Sequence, residues 1–559
     1  MKFLQTLINL IYGFSADTSY RKFNKDTKNA GEINKQVLQE ILRLNAATTY
    51  GQSYKFYGLH PEDYKKQVPL TYYQDYEGFI DEIAAGKENV LTSDPIIYFG
   101  LSSGTTGKQK RIPVTSRSRK IVTMAMMLLQ EGLLRQALPS ARKGGRGLLL
   151  MNMLQSSNSS AGIPTGSGTS GGVQSMRKVL PYFWTTPMEV LALPDQKEAN
   201  YLHLLFALKD RDLAYIMAPF ASGVVQLLGV LEERYQELVE DIKIGSISSK
   251  LNLAPEIRAD LENQVAPDPQ RARELEWAYQ KGMVHIVPRI WPKLSHVSCV
   301  AGGSFSVYEP KLKFYTGQLP IYSAVYGATE SLIGLSPRVN EPTYVLVPRA
   351  GYFEFIKAEE IDAVNPATLN LNEVKVGETY EIVITNYAGF YRYRLGDIVK
   401  VVDFYNESPV VEFLYRKGQL LNIAGEKTSE EAVRLAMTQT METLKQRIVD
   451  FTITLDLSSA VGKYAFYLEV ESDGVKSEEL SRLCDTLETK LYAANPRYRA
   501  GVESHRIAPC VVHLVRSGTF DRLRQELVKR GASLNQVKIP RAIQDARLIE
   551  LLESNRLKG

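Results

Sequence analysis

The pattern of apolar residues changes near Tyr344, and no other feature restricts the possible folds as strongly. Before this point, apolar runs such as PIIYFG, DLAYIMAP and MVHIVPRI alternate with helical stretches, which predicts buried and largely parallel strands. After it, runs such as ETYEIVITNYAGFYRYRL alternate apolar and polar residues, which predicts antiparallel strands joined by short turns. The first part of the chain therefore combines two kinds of sheet.

A second change follows Gly418, where helical stretches return around a hairpin near residues 460–462. A chain of 559 residues also exceeds one ordinary core. The sequence therefore predicts an α/β protein with a large domain over residues 1–418, which holds mixed or parallel sheets flanked by helices and an antiparallel portion over about 340–418. A hinge is expected over 419–425, and a smaller, mobile α+β domain over 426–559.

Charge and cysteine content exclude several classes of protein. The net charge of +5 is small and dispersed, so it does not support nucleic-acid binding. Three widely spaced cysteines favour neither a zinc site nor disulfides, and a cytoplasmic location is expected. The N-terminal run MKFLQTLINLIYGF is interrupted by Gln5, Thr6 and Asn9, which favours an amphipathic helix packed on the body over a signal peptide. No integral membrane segment is expected.

A polar loop, SSGTTGKQK, lies between two strand-like runs. Its spacing matches neither the Walker loop nor the dinucleotide fingerprint. Two glycines let the backbone approach an anion closely, while hydroxyls and cations supply donors and positive charge. A polar hairpin turn is the alternative interpretation. The candidate phosphate-binding residues are Ser102, Ser103, Gly104, Thr105, Thr106, Gly107 and Lys110.

A second polar cluster, YSAVYGATES, places Glu330 just after a strand that ends at Tyr326 and Gly327. An acid at such an edge is suited to bind Mg²⁺ or to orient a nucleotide. An N-cap followed by an acidic first turn explains the same residues equally well. Upstream, the pair Gly302 and Gly303 offers bare backbone on which a flat base could lie.

Two further clusters follow in the antiparallel part and at the domain boundary. In GFYRYRLGDIVKV, a turn at Leu395, Gly396 and Asp397 presents a carboxylate suited to ribose hydroxyls, although an ordinary hairpin turn has the same composition. In RKGQLLNIAGEKTSEE, Lys427 is placed to reach a phosphate beside a possible hinge at Gly425. The Gly- and Ser-rich stretch 155–172 is open to two interpretations, a surface loop or a lid.

Together these motifs resemble those of the adenylate-forming enzymes, which include acyl-CoA synthetases, peptide-synthetase adenylation domains and luciferase. SSGTTGKQK, YGATE and YRYRLGD resemble most closely the motifs of one branch, the auxin-responsive acyl acid–amido synthetases. YRYRLGD is the most discriminating, because thioester-forming relatives usually have a shorter TGD there. The resemblance covers nearly the whole chain.

The resemblance implies roles for the matching positions. The hydroxyl loop with Lys110 would hold ATP phosphates, and Asp397 would bind the ribose. The glycine pair 302–303 with Tyr326 and Gly327 would frame the adenine, beside Thr329. The implied catalytic residues are Glu330, which would also be the metal ligand for Mg²⁺, Lys427, and Lys538 from the terminal motif NQVKIPR.

The implied reaction has two steps. A small carboxylic acid attacks the α-phosphate of ATP to give an acyl-adenylate, and an amine, expected to be an amino acid, then takes the acyl group and releases AMP. Rotation of the small domain would reshape the site between the steps. Three alternatives stay open: a thioester ligase with the same first step, a catalytically silent nucleotide-binding protein, and a membrane-associated protein that uses the N-terminal amphipathic helix.

Overall fold

The computed structural model describes residues 2–103, 109–151, 157–166, 180–302, 308–417, 419–444, 448–470, 477–529 and 539–557. Contacts divide the chain into two compact units, which meet in sequence between Lys417 and Gly418. The first unit comprises Met1–Ser102 and Lys110–Lys417, and Gly418–Gly559 belong to the second. The expected hinge over 419–425 and the rotation of the second unit stay predictions.

Helices open the first unit and flank its sheets, and several begin with a proline or a side-chain cap, as expected for helix starts. Their bounds are α1 Lys2–Asp26, α2 Ala30–Leu44, α3 Thr49–Ser53, α4 Pro61–Gln67, α5 Glu77–Ala84, α6 Ser116–Met124, α7 Gln130–Ala137, α8 Leu180–Phe183, α9 Met188–Leu191, α10 Gln196–Lys209, α11 Ala221–Ile244, α12 Pro255–Glu262, α13 Pro269–Tyr279, α14 Ile286–Ile290 and α15 Glu309–Thr316. A π-helical turn, Ala125–Leu129, joins α6 to α7.

Short 3₁₀ helices span Thr27–Asn29, Tyr73–Tyr76, Pro139–Lys143 and Ala358–Glu360. The strands of the first unit are β1 Ile96–Ser103, β2 Gln109–Thr115, β3 Gly147–Leu149, β4 Thr165–Gly166, β5 Tyr215–Phe220, β6 His296–Val300, β7 Ile321–Tyr322, β8 Val325–Gly327, β9 Leu332–Leu335, β10 Thr343–Leu346, β11 Tyr352–Lys357, β12 Leu369–Asn370, β13 Thr379–Thr385, β14 Tyr393–Tyr405 and β15 Ser408–Arg416.

Three sheets organise these strands. A four-stranded parallel sheet has the order β3-β5-β6-β7, and a three-stranded sheet has the order β2-β1-β4. An eight-stranded sheet, β12-β11-β13-β14-β15-β10-β9-β8, is antiparallel throughout its pairings. Antiparallel pairing begins at β8, ahead of the change of pattern near Tyr344, and the strands from β11 to β15 follow that change.

An extensive buried cluster joins the N-terminal helices to the antiparallel sheet. Tyr50 of α3 stacks on Tyr391, which precedes β14, with ring centroids 4.7 Å apart. The hydroxyl of Tyr76 donates to the carbonyl of Tyr391 at 2.8 Å. Buried tyrosines bury a large apolar ring and keep a hydrogen-bond partner for the hydroxyl. These contacts therefore hold the segment that precedes β14 in place.

Two sequence expectations are wrong at the level of single elements. MVHIVPRI was expected to be a strand, but it contains α14. His285 has a φ of +54° immediately before this helix, and Pro288 lies in the first turn, where its missing N–H costs little. The expected turn at Leu395, Gly396 and Asp397 lies inside β14, where Gly396 has a φ of +74° and the pairing with β13 shifts register. This is a β-bulge rather than a chain reversal.

The second unit is an α+β arrangement. Its elements are β16 Gln419–Leu421, β17 Thr428–Ser429, α16 Glu430–Leu444, β18 Ile448–Asp456, β19 Lys463–Val470, α17 Ser477–Ala494, α18 Pro496–Glu503, β20 Val511–Val515, α19 Thr519–Lys529 and α20 Ala546–Ser554. β18 and β19 form the expected hairpin, and β20 pairs with β19 in parallel. The predicted α/β class is confirmed.

Among the described residues, no helix combines the length and apolar character needed to cross a bilayer.

Candidate active site

The loop after β8 holds Glu330 in a buried position. Ala328 N–H donates to the carbonyl of Ser331 at 2.8 Å, and the side-chain amide of Asn386 donates to the carbonyl of Glu330 at 2.7 Å. The Tyr393 hydroxyl donates to Oε1 of Glu330 at 3.4 Å, a long hydrogen bond. Two backbone anchors and one weak side-chain contact therefore fix this carboxylate.

The other oxygen of Glu330, Oε2, is buried and has no hydrogen-bond partner among the described residues. Only 8% of Glu330 is exposed. A buried charged oxygen without a partner is costly, so a ligand that meets it would recover that cost. A divalent cation fits, because Mg²⁺ takes one or two protein carboxylates and completes its shell with water and phosphate. The described residues contain no group of three metal-ligating side chains, so substrate oxygens would supply the remaining ligands.

Lys110, in β2, supplies positive charge to the same region. Its Nζ lies 5.1 Å from the centre of the Tyr73 ring. Burial lowers the pKa of Lys110, and the negative charge of Glu330 partly offsets that effect. A cation that has already lost part of its water binds an incoming polyanion at lower desolvation cost. Of the predicted phosphate-binding residues, Lys110 is the one whose side chain the structure describes.

Asp397 forms the centre of a buried triad. Oδ2 accepts a hydrogen bond of 2.9 Å from the hydroxyl of Tyr326, and Oδ1 pairs with Nε of Arg416. Burial and the Asp397 charge raise the pKa of Tyr326 well above its ordinary value, so this hydroxyl remains a donor. Burial alone lowers the pKa of Arg416, but the adjacent carboxylate outweighs burial and raises it.

The triad restricts the predicted contact between Asp397 and ribose, because both oxygens of Asp397 already have a partner. Asp397 is 1% exposed, and each of its oxygens already accepts one hydrogen bond. A carboxylate oxygen has two lone pairs, so each retains one further position. Ribose hydroxyls would therefore have to share Asp397 with Tyr326 and Arg416 or displace one of them. The sequence placed Tyr326 near adenine and gave Arg416 no role, although RKG at the domain boundary contains it.

The residues of YRYRLGD divide between fold and site. Arg392, whose φ is +46°, directs Nε to both oxygens of Glu354 at 3.1 and 3.2 Å. Arg394 Nε donates to Glu381 at 2.9 Å. Tyr393 instead contacts Glu330. Within β14, alternation separates Tyr393 from Arg394, because neighbouring side chains of a strand point to opposite faces. That alternation was the available signal for Tyr393, which the sequence did not single out.

Gly100 brings the strand before the polar loop against the second motif. A Cβ at position 100 would lie 2.6 Å from the methyl carbon Cγ2 of Thr329, closer than real Cβ atoms approach a neighbour. The glycine therefore lets Thr329 pack on β1. Gly327 has only ordinary van der Waals neighbours and is exposed.

Gly302 has a packing reason of its own. A Cβ there would lie 2.4 Å from Cβ of Pro342, so the position excludes larger side chains regardless of any ligand. Gly303 lies outside the described residues. The adenine frame across this pair therefore stays a prediction.

In the second unit, Lys427 follows a tightly held turn. Its φ is +50°, and its side chain is half-buried. The preceding residue, Glu426, accepts hydrogen bonds from the backbone N–H groups of Ile423 at 2.7 Å and Ala424 at 2.8 Å, and from the Tyr464 hydroxyl at 2.5 Å. Burial raises the pKa of Glu426. The turn thus presents Lys427 from a fixed backbone.

Several predicted residues fall outside what the structure describes. For Ser102 and Ser103 only the backbone, in β1, is described. The positions not described are Gly104, Thr105, Thr106, Gly107, Gly303 and Lys538. Their roles stay predictions.

Three family models match consecutive parts of the chain. The GH3 family N-terminal domain matches residues 19–321, the GH3 family central domain matches 344–416, and the GH3 family C-terminal domain matches 431–547. The central match covers most of the antiparallel sheet, and the third lies in the second unit.

Curated relatives match over the same span. The chain is 32% identical over 564 residues to "Jasmonoyl--L-amino acid synthetase JAR4" of Nicotiana attenuata, which covers 97% of this chain and 96% of that protein. It is also 32% identical over 575 residues to "4-substituted benzoates-glutamate ligase GH3.12" of Arabidopsis thaliana, with 97% and 98% coverage.

Solved structures agree with these matches. The chain superposes on "AtGH3.15 acyl acid amido synthetase in complex with 2,4-DB" with a TM-score of 0.69 and 28% identity, over 97% of this chain and 96% of that one. A 2-hydroxyisobutyryl-CoA ligase gives a TM-score of 0.52 at 13% identity over 94% and 91% of the chains, which shows a common fold alone.

Proposed function

Because this chain belongs to the GH3 family, we propose that it is an ATP-dependent acyl acid–amido synthetase. It activates a carboxylic acid as an acyl-adenylate, releases pyrophosphate, and transfers the acyl group to an amine. The observation that carries the proposal is the match over 97% of the chain to relatives named as amino acid synthetases and ligases. The resemblance identified from the sequence motifs is confirmed by the three family models.

In the adenylation step, the chain supplies charge and positioning rather than a nucleophile. Lys110 and the hydroxyl loop bind the phosphates of ATP, and Asp397 accepts ribose hydroxyls beside Tyr326. Oε2 of Glu330, which has no hydrogen-bond partner in the described part of the chain, is the atom that would hold Mg²⁺. Mg²⁺, when bound, offsets the negative charge that develops on the phosphate oxygens.

Transfer to the amine requires that a second set of side chains replaces the first. Lys427 and Lys538 belong to the part of the chain after Gly418, and we assign them to phosphate contacts in alternative domain positions. Lys538 stabilises charge during adenylation, and Lys427 contacts the nucleotide after rotation. The favoured acceptor is an amino acid, because the relatives are named for amino acid conjugates.

The proposed setting is the cytoplasm. The described free cysteines, Cys299, Cys484 and Cys510, fit a reducing compartment. Neither nucleic acid nor an integral membrane segment is part of the proposal.

ATP–pyrophosphate exchange against a panel of carboxylic acids, with and without Mg²⁺, tests the first step. Exchange that requires one class of acid supports adenylation, and adding amino acids or CoA then identifies the product. A product formed with CoA alone would replace the amide proposal with a thioester ligase. ATP binding without exchange, across the whole panel, would favour a silent protein.

A matched pair of variants ties that reaction to the site. Glu330→Gln removes the charge without changing the shape, and it should lower exchange by about 10-fold or more, since hydrogen bonds and contacts to charged groups contribute about 1.5–3 kcal/mol. Glu341→Gln alters an exposed acid paired with Arg338 and should leave exchange unchanged. Equal exchange in both variants would remove Glu330 from the site.

A further inference from the structure

Helix α1 displays a stripe of large apolar side chains to solvent. Leu7, Leu10, Ile11 and Phe14 are 42%, 70%, 57% and 70% exposed. Their spacing of three, one and three residues places them on one face of the helix, as neighbours at i, i+3, i+4 and i+7. Single exposed apolar residues are ordinary, but a contiguous exposed stripe marks an interaction surface.

Sides of α1 outside the apolar stripe are fixed to the body of the first unit. The Tyr12 hydroxyl donates to the carbonyl of Met127 at 2.6 Å, and Arg135 Nε pairs with Asp17 at 3.2 Å. A Cβ at Gly132 of α7 would lie 2.5 Å from the carbonyl oxygen of Ala16, so the two helices approach as closely as glycine permits. The helix therefore cannot turn its apolar stripe inward without breaking these contacts.

Positive charge continues the same face. At 100° per residue, Arg21, Lys22 and Lys25 fall within the arc of about 120° that contains the apolar stripe. All three are exposed. The only acidic residues of α1 are turned to other partners: Asp17 pairs with Arg135, and Asp26 pairs with Arg349 at 2.6 Å. The outward face is thus apolar in its first half and cationic in its second.

We propose that this face of α1 docks on an anionic membrane surface. Apolar side chains of an interfacial helix insert at the boundary between headgroups and acyl chains, while lysine and arginine contact anionic headgroups. A second copy of the chain is a poorer fit. Arg21, Lys22 and Lys25 would find no acidic residue within the same 120° arc of a second copy to pair with them.

Vesicle sedimentation with the full chain tests the proposal. Vesicles of phosphatidylcholine alone are compared with vesicles that also contain phosphatidylglycerol, at low and high salt. The wild-type chain should bind the anionic vesicles preferentially, and salt should weaken binding because it screens the headgroup charge. Light scattering of the free protein reports its oligomeric state in parallel.

Three variants separate the two halves of the face from nonspecific effects. Leu10→Glu with Phe14→Glu should reduce binding to anionic vesicles by about 10-fold or more. Arg21→Gln with Lys22→Gln and Lys25→Gln should cause a similar loss at low salt and remove most of the salt dependence. Val364→Glu alters an apolar residue that is 95% exposed elsewhere on the same unit, and it should bind as the wild type does.

Preserved pyrophosphate exchange in all three variants shows that the chain remains folded. Binding of the Leu10/Phe14 variant at wild-type strength would overturn the proposal. Absence of wild-type binding to either vesicle would overturn it too. A wild-type dimer that the Leu10/Phe14 variant dissociates, without vesicle binding, would instead assign the face to a second copy.

Discussion

Buried carboxylates in the interior of the antiparallel sheet differ from the one at its β8 edge. In the interior, Arg392 meets both oxygens of Glu354, and Arg394 pairs with Glu381. At the edge, Glu330 has one long hydrogen bond and one oxygen without a partner among the described residues. A carboxylate whose partners are complete serves the fold, whereas an incompletely satisfied one has capacity left for a ligand.

Asp397 stands between these two cases. Both of its oxygens have a partner, as in the interior, but Arg416 meets only one of them and the other accepts from a tyrosine. Two lone pairs remain open. Asp397 therefore combines a fixed position with capacity for further hydrogen bonds.

The largest expected effect separates the interior pairs from the site. Arg392→Ala leaves Glu354 buried and uncompensated, and it should lower the free energy of unfolding by about 3–5 kcal/mol. Denaturant unfolding measures this loss. Arg338→Ala, which breaks an exposed pair with Asp403, is the control and should cost at most about 1 kcal/mol. If the Arg392 variant lost ATP use but kept its stability, the Arg392–Glu354 pair would have a role in the site rather than in the fold.

The next effect tests the intermediate case. Asp397→Asn keeps an acceptor for Tyr326 but removes the charged acceptor from ribose hydroxyls. Hydrogen bonds to charged groups contribute about 1.5–3 kcal/mol, so kcat/KM for ATP should fall by about 10- to 100-fold. Pyrophosphate exchange at varied ATP measures it. Normal ATP kinetics in this variant would place Asp397 with the interior carboxylates.

A smaller effect tests whether β1 positions the edge. Gly100→Ala pushes on the methyl of Thr329 and should weaken ATP use, with an overpacking cost of about 1–3 kcal/mol. Thr329→Ser removes that methyl and retains the hydroxyl. Gly100→Ala should therefore lower kcat/KM less in the Thr329→Ser background than it does in the wild type. A simple addition of the two losses would show that Gly100 does not act through Thr329.

The smallest effect concerns pH. Because burial lowers the pKa of Lys110 in the folded state, the charged form is disfavoured there relative to the unfolded chain. Above the ordinary pKa of 10.5, Lys110 is neutral in both states and its burial costs no stability. As pH falls from there through the folded pKa, the unfolded chain gains the proton first, so the free energy of unfolding decreases. Lys110→Met should unfold at a higher temperature than the wild type at neutral pH, while using ATP less well. The difference should shrink near pH 10.5, and a less stable variant at neutral pH would contradict it.

Much of the architecture followed from sequence periodicity. The buried runs PIIYFG and DLAYIMAP, which became β1 and β5, and the alternating runs from β10 to β15, are local patterns that burial imposes on strands. The strand prediction for MVHIVPRI was wrong because a short apolar run fits a strand or a helix equally well. The left-handed conformation of His285 before the helix cannot be read from the sequence. The turn prediction at Gly396 was also wrong, because glycine permits a bulge as readily as a turn.

The site was foreseeable only in part. Glu330, Lys110 and Asp397 belong to recognisable motifs, so their chemistry could be anticipated. Asp397 and Arg416 are opposite each other on β14 and β15, beside a register irregularity. The oxygen of Glu330 that has no hydrogen-bond partner among the described residues is a property of three-dimensional packing. Neither is encoded in a local pattern. The need for glycine at position 100 likewise comes from Thr329, which is more than two hundred positions away in the sequence.

The π-helical turn at Ala125–Leu129 has a consequence for insertion and deletion in this helix. Such a turn accommodates one surplus residue locally, so the residues before and after it retain their orientation. Deleting one residue inside the turn would restore regular helical bonding and leave Gly132 against Ala16. Deleting one residue within α7, ahead of Gly132, would rotate the side chains about 100° and direct a larger residue at that close approach. Natural length variation in this helix should therefore concentrate within the five residues of the turn.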